Sequence, residues 1–131
     1  MIEYLVRGAV DDVALSQLHG AAFGETPVLQ PWAARLERHS LAWVTAVEDG
    51  RLVGFVNVAW DGGGHAFVLD TVVAPDRQGA GIGRALVAEA TRAAVDAGCA
   101  WLHVDHVQEL TAFYAACGFR PTAVGLIRLH R

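Results

Sequence analysis

The stretch Asp76-Arg77-Gln78-Gly79-Ala80-Gly81-Ile82-Gly83-Arg84-Ala85-Leu86 sets three glycines at alternate positions between an apolar strand pattern and an apolar helix pattern. Each glycine costs about 0.5–1 kcal/mol against Ala inside a regular element, so bare backbone must serve a purpose where strand becomes helix. One purpose is chemical. The first turn of a helix leaves several N–H groups unpaired and pointing the same way, and together with the helix dipole they attract phosphate. Gly79, Gly81 and Gly83 would let a pyrophosphate reach those donors. Arg84 is a cation in a first turn, where the dipole disfavours it, and so suggests a neighbouring anion. The other purpose is mechanical, because a glycine-rich loop by itself equally well turns a corner. Spacing excludes two other phosphate loops: counted from Gly79 or Gly81, the third glycine of GxGxxG falls on Arg84 or Leu86, and no GK[ST] follows.

The rest of the composition narrows the ligand. With 131 residues, 53% of them apolar, the chain has enough material for one packed core, and a single domain over residues 1–131 is expected. A net charge of −4, ten arginines and no lysine argue against a nucleic-acid surface but leave room for a small phosphorylated ligand beside Arg77 and Arg84. Glu3, Arg7, Asp11 and Asp12 interrupt the N-terminal apolar pattern, and no apolar run reaches eighteen residues, so neither a signal peptide nor a membrane span is read. A cytoplasmic protein is expected. Cys99 and Cys117 lie in no metal-ligand spacing and read as reduced thiols packed like small core residues, with no metal site.

Periodicity supplies the elements that hold the loop. Residues 2–7 read as a strand, and VDDVALSQLHGAAFG as a helix with an Asp cap and a stop at Gly24. Pro31 opens a short helix with Trp32 and Leu36 four apart. Two alternating strands meet at Asp49-Gly50, a dipeptide suited to a tight hairpin, and a third runs from His65 to Pro75. A helix then extends to about Asp96, with Ile82, Leu86, Ala90 and Ala93 on one face, Arg92 paired with Asp96, and Gly98 as its stop. CAWLHVDHV reads as a strand, ELTAFYAACGF as a short helix and TAVGLIRLH as a last strand.

These residues resemble a known family. VVAPDRQGAGIGRAL is similar to the acetyl-CoA-binding motif of the GNAT superfamily of N-acetyltransferases, with Gln78, Gly81 and Gly83 in the motif's places, and AFYAACGF resembles the family's second signature. The order of elements matches as well. The resemblance implies an α/β (α+β) fold: a central mixed, mostly antiparallel sheet of about six to seven strands flanked by about four helices. It implies acetyl-CoA as cosubstrate, no metal, a primary amine of a small molecule or peptide as acceptor, and a homodimer as one allowed assembly.

It also implies a site. The pantetheine arm would enter between Thr71, Val72 and Val73 on one strand and Trp101 to Asp105 on the next. The pyrophosphate would rest on the backbone of Gly79, Ala80, Gly81, Ile82, Gly83 and Arg84, beside Gln78. Relatives carry an Asn before the short helix, where Gln108 stands here. Acetyl transfer to an amine needs a base for the incoming ammonium and an acid for the departing thiolate, on opposite sides of one carbonyl. The resemblance puts Tyr114 near the sulfur as the acid, while the turn at Gly118 would fold Phe119 back onto that ring and give it a packing role too. His103, where some relatives carry Glu, is the first candidate base; Asp70, a carboxylate on an apolar strand, is the second. Asp105 and His106 follow, and a water chain is an alternative. Residues 24–39, with Glu25, Trp32, Arg35 and Glu37, and Phe23 just before them, would meet the acceptor. A domain that keeps the CoA cleft as a sensor or interaction module, without efficient turnover, is the competing reading.

Overall fold

One sheet of five strands in the order β1-β2-β3-β4-β5 organises the computed structural model, which describes residues 1–130. Along the chain run β1 (Ile2–Val6), α1 (Asp12–Ala22), α2 (Trp32–His39), β2 (Ser40–Glu48), β3 (Arg51–Trp60) and β4 (His65–Val73). They are followed by α3 (Ile82–Asp96), β5 (Trp101–Val104) and α4 (Thr111–Ala116). Strands β1 to β4 pair antiparallel, and α3 carries the chain back so that β5 joins β4 in parallel. Asp11 caps α1 by accepting from the Ala14 N–H at 2.9 Å. The β2–β3 hairpin turns on Asp49 and Gly50 with φ of 51° and 77°, the left-handed pair expected of that dipeptide.

Successive residues of β3 show how the sheet is covered, because they point to opposite faces. A Cβ on Gly54 would lie 2.9 Å from Leu86 Cδ1 and 3.0 Å from Ile82 Cγ2, so α3 presses on that face. The next side chain, Phe55, meets Trp32 edge-on at 5.6 Å on the other face, where α1 and α2 pack. Leu15, Trp32, Leu36, Phe55, Val56 and Leu86 are fully or almost fully buried in this two-sided core. Overpacking at the α3 contact should be felt: Gly54→Val is expected to destabilise the fold by about 1–3 kcal/mol, read as a lower urea midpoint at unchanged m.

Two expectations are corrected. The sheet has five strands rather than six or seven, because residues 122–130 form no strand. Their alternation suits a strand, but a ladder needs a neighbour; this segment stands across a cleft from β5, with Leu126, Ile127 and Leu129 81–93% exposed. Arg92 pairs with Glu89 at 3.0 Å instead of Asp96, the arrangement in which the acid precedes the base along the helix.

Candidate active site

The three glycines answer different demands. Beyond β4 a 3₁₀ turn at Pro75–Arg77 leads into Gly79 and Gly81, whose φ values of 81° and 84° fall in the left-handed region. Gly81 is the N-cap of α3, and no side chain caps that helix. A Cβ on either glycine would meet nothing within 4 Å, so the space before the helix N-terminus is open. Gly83 differs: a Cβ there would come within 3.1–3.2 Å of the Phe113 ring, so its bareness admits α4 rather than a ligand. Ile82 is buried in the core and can offer only its backbone. Of the two flanking arginines, Arg77 is spent on Glu48 at 2.8 Å, and Arg84 is exposed. The Gln78 side-chain amide donates to the Val73 carbonyl at 3.3 Å.

Beside this loop β4 and β5 part company. Their last paired residues are Val68 and Val104, and β4 runs on through Val73 after β5 has ended. Trp101–Val104 therefore lie opposite His65–Val68, so Thr71, Val72 and Val73 border a gap whose other side begins near Asp105, a correction to the expected register. Buried at this gap, the Thr71 hydroxyl has no well-formed hydrogen bond.

The same strand carries a bulge. Phe55 opposes Val72 and Asn57 opposes Leu69, so Val56 alone faces both Asp70 and Thr71. Asp70 takes φ of 56°, a left-handed conformation that Asp tolerates better than most side chains. The distortion directs its carboxylate to α1, where Oδ1 lies 3.1 Å from His19 Nε2. His19 packs against Phe23 and Trp32 at ring distances of 4.7 and 5.3 Å. It also lines a pocket of about 230 Å3 with Ser16, Gly20, Glu25, Thr26 and Gln30. Sequence reasoning missed His19. Its spacing of four from Leu15 puts it on the inward face of α1, but its partner is set by a bulge that no local pattern announces.

Tyr114 sits on the other side of the bulge. It is buried, and burial pushes its phenol above the ordinary value of 10.0; the nearby Thr71 hydroxyl opposes that rise without making a well-aligned bond. His106 stacks on the ring at 4.9 Å, and Phe119 meets it edge-on at 5.7 Å, after the Phe119 N–H returns to the Tyr114 carbonyl at 3.0 Å. The expected helix-end contact is thus present. Tyr114 borders a cleft of about 1180 Å3 between β5, α4 and the C-terminal segment.

The remaining candidates are dispersed. His103 Nε2 lies 2.8 Å from His65 Nδ1, and its ring stacks on Phe67 at 4.7 Å, on the exposed part of the sheet. Asp105 is exposed, and His106 donates from Nδ1 to the Val107 carbonyl at 2.8 Å. Gln108 begins a 3₁₀ turn, where its carbonyl accepts from the Thr111 hydroxyl at 2.7 Å. Among the residues expected to meet the acceptor, Trp32 is core, with the Arg35 guanidinium 4.1 Å from its ring centre; Phe23 and Glu25 are exposed, and Glu37 faces Arg7 at 3.9 Å. Cys117 is partly buried, which pushes its thiol up while Arg84 pulls it down.

A family model, acetyltransferase (GNAT) family, matches residues 12–119. The chain belongs to this family. A mycothiol acetyltransferase of Nocardia farcinica is 37% identical over 86 residues, 65% of this chain; the chain spans 28% of that relative's length. Among solved structures, a probable acetyltransferase of Staphylococcus aureus superposes with a TM-score of 0.82 at 20% identity, covering 99% of this chain and all of the other. An acetyltransferase of Trypanosoma brucei does so at 0.82 and 23% identity over the whole of both chains. These superpositions establish the GNAT fold, and membership in the family makes this an acetyltransferase domain for which acetyl-CoA is the family's cosubstrate. Among the described residues of this GNAT chain no helix is long and apolar enough to cross a membrane, and no group of three or more His, Cys, Asp or Glu gathers as a metal site.

Proposed function

We propose that this chain is an N-acetyltransferase that passes the acetyl group of acetyl-CoA to a primary amine by direct attack in a ternary complex. The observation that carries the reading is the bulge in β4: consecutive residues, Asp70 and Thr71, reach a His19 pair on one side and a buried phenol on the other. Acid and base are thereby divided across one strand, as attack on a thioester and departure of a thiolate require.

Three features fit acetyl-CoA. The left-handed glycines leave uncapped amides and open space at the start of the fifteen-residue helix α3. The parted β4 and β5 offer strand-edge backbone to an extended arm. Thr71 Oγ1 is a buried polar atom in want of a partner. In this reading the amides of residues 79–84 and Arg84 hold the pyrophosphate, Thr71–Val73 border the pantetheine arm, and Gln78 and Gln108 flank it. When bound, the cosubstrate supplies an activated acetyl thioester.

The chain's own groups move the protons. His19, its Nε2–H donating to Asp70, accepts the ammonium proton at Nδ1; the Asp70 carboxylate fixes the tautomer and stabilises the imidazolium formed. Tyr114 donates its phenolic proton to the leaving sulfur. We assign the base to the His19–Asp70 pair in preference to His103, whose ring is occupied by His65 and Phe67. Glu25 at the His19 pocket and the net charge of −4 favour a cationic acceptor.

The reading is tested by thiol release from acetyl-CoA with a panel of amines, alongside calorimetric titration with CoA. Turnover with an amine supports it, and tight CoA binding without turnover for any amine hands the fold to the sensor reading. Gly81→Val should weaken CoA binding by about tenfold or more, the equivalent of one lost charge-assisted hydrogen bond, in a protein whose circular dichroism is unchanged. Equal CoA affinity in that variant would remove the glycine loop from the site.

A further inference from the structure

We propose that the acceptor carries its amine on an aromatic ring, as an arylalkylamine does, and that this ring is held by an exposed stack of Phe67 and His103 on β4 and β5. The inference rests on the reading of the chain as an N-acetyltransferase and names the class of amine. It starts from the pairing of the strands. Asn57 opposes Leu69 and Ala59 opposes Phe67, so Phe67 and Leu69 point to the face that Phe55 also points to. Helices α1 and α2 bury Phe55 but stop short of the other two, which are 38% and 45% exposed. The parallel ladder then sets His103 beside Phe67 and Trp101 beside His65. Trp101 is 56% exposed. Single apolar residues at a surface need no explanation, but a contiguous row of them on neighbouring strands marks a place where something binds.

The row is ordered before any ligand arrives. The His103 ring stacks on Phe67 at 4.7 Å with 17° between the planes, and its Nε2 lies 2.8 Å from Nδ1 of His65. One hydrogen bond joins the two imidazoles, although each stands in the open where water would serve it as well. What the bond adds is orientation: it holds the His103 plane against Phe67, so a ring joining the stack meets a surface whose side chains have already lost their freedom. Stacked rings also attract one another beyond the area that they bury. In this arrangement Phe67 and His103 touch the acceptor, and His65 is a positioning residue.

Charge and reach fix the rest of the molecule. Directly after Leu69 comes Asp70, whose carboxylate turns to His19 on the same side of the sheet. Asp105, exposed, continues β5 just past the Val68–Val104 pair. Carboxylates thus stand at one end of the row and aromatic rings at the other, the complement of a cationic head with an aromatic tail. The span from Asp70 to Phe67, three residues at about 3.3 Å each, is about 10 Å, which an amine, a short alkyl linker and an aromatic ring fill together. An amino sugar laid along the same path would set hydroxyls against carbon and lose their water. Phe67, Leu69, Trp101 and His103 all line the cleft that Tyr114 borders, so the tail and the reacting end share one open space.

The test compares 2-phenylethylamine and tryptamine with n-propylamine and spermidine on the full chain, by kcat/KM with acetyl-CoA and by calorimetric affinity with CoA present. The two aryl amines should lead the other two by about tenfold or more in both quantities, the worth of one ring taken out of water. Phe67→Leu keeps an apolar side chain on the strand and should shrink that margin several-fold, through KM rather than kcat. His65→Ala should shrink it as well at an unchanged melting temperature, and His65→Gln, which can still hydrogen-bond to His103, should restore part of it. Equal or better use of n-propylamine or spermidine, or a margin that survives Phe67→Leu, overturns the proposal and leaves acetyl transfer standing. Aryl amines that bind with the expected margin and are never acetylated support the ring site and overturn the proposed reaction. Neither binding nor turnover with any of the four overturns both.

Discussion

Replacing Tyr114 by Phe is expected to lower kcat by about 10²-fold or more, the usual contribution of a positioned acid, while CoA affinity and fold stability stay close to wild type. The reasoning separates the ring from the hydroxyl. The ring is packed by His106, Phe113 and Phe119, and Phe retains all three contacts. The hydroxyl lies by Thr71 without a well-formed bond, so its removal strands no strongly held partner. Its chemical value is the proton. Burial raises the phenol above 10.0, so the group stays protonated throughout the neutral range, and Tyr114 should impose no alkaline limb on activity below that value. The linkage to stability has the same sign: a raised folded-state value leaves this contribution whole below about pH 10 and removes it as pH climbs through the folded value. Steady-state kinetics on acetyl-CoA and a responsive amine, with thermal melts at pH 7 and above 10, check both halves. A Phe variant with wild-type kcat would strip Tyr114 of the acid's role and leave it a packing residue.

The second large effect belongs to the proposed base. Asp70→Asn keeps the size and the tolerance for positive φ at the bulge while deleting the carboxylate, so the backbone should hold. A fall in kcat of about 10²-fold is expected, with CoA affinity unaltered. His19→Gln should fall to a similar level, and the double variant should be little worse than either single change if, as proposed, the two residues act as one unit. A purely structural role would predict additive losses accompanied by lower melting temperatures. Rescue adds a sharper criterion: His19→Ala should recover part of its activity when imidazole is supplied in the buffer, and failure of added imidazole, with activity of Asp70→Asn near wild type, would return the base to His103 or to water.

Much of this molecule is legible in its residues wherever the cause is local. Asp11 before an amphipathic run, Asp49-Gly50 between alternating strands and Gly118 before Phe119 each state a cap or turn within a few positions, and each is found as read. The glycine loop is equally legible, and the family follows from it and from the tyrosine helix. What escapes is whatever depends on a distant partner. Residues 122–130 carry a strand's pattern but form no ladder, since alternation names the faces of a strand and says nothing of its neighbour. Gly83 reads as part of a phosphate cradle until Phe113 is seen against it. His19 looks like one more inward residue of α1 because the distortion that brings Asp70 to it arises between β3 and β4, far along the chain.

The contact of Gly83 with Phe113 has a consequence for how the two ends of the site communicate. Phe113 is the immediate neighbour of Tyr114, so the helix that begins at the proposed diphosphate cradle bears directly on the helix that holds the proposed proton donor. With no side chain on Gly83 to separate the α3 backbone from the Phe113 ring, a displacement of one is passed to the other as a shift of the same order. In the proposed arrangement, seating the nucleotide end of the cosubstrate would therefore also set the aim of the phenol toward the sulfur, and a loose grip at one end would be registered as poor aim at the other.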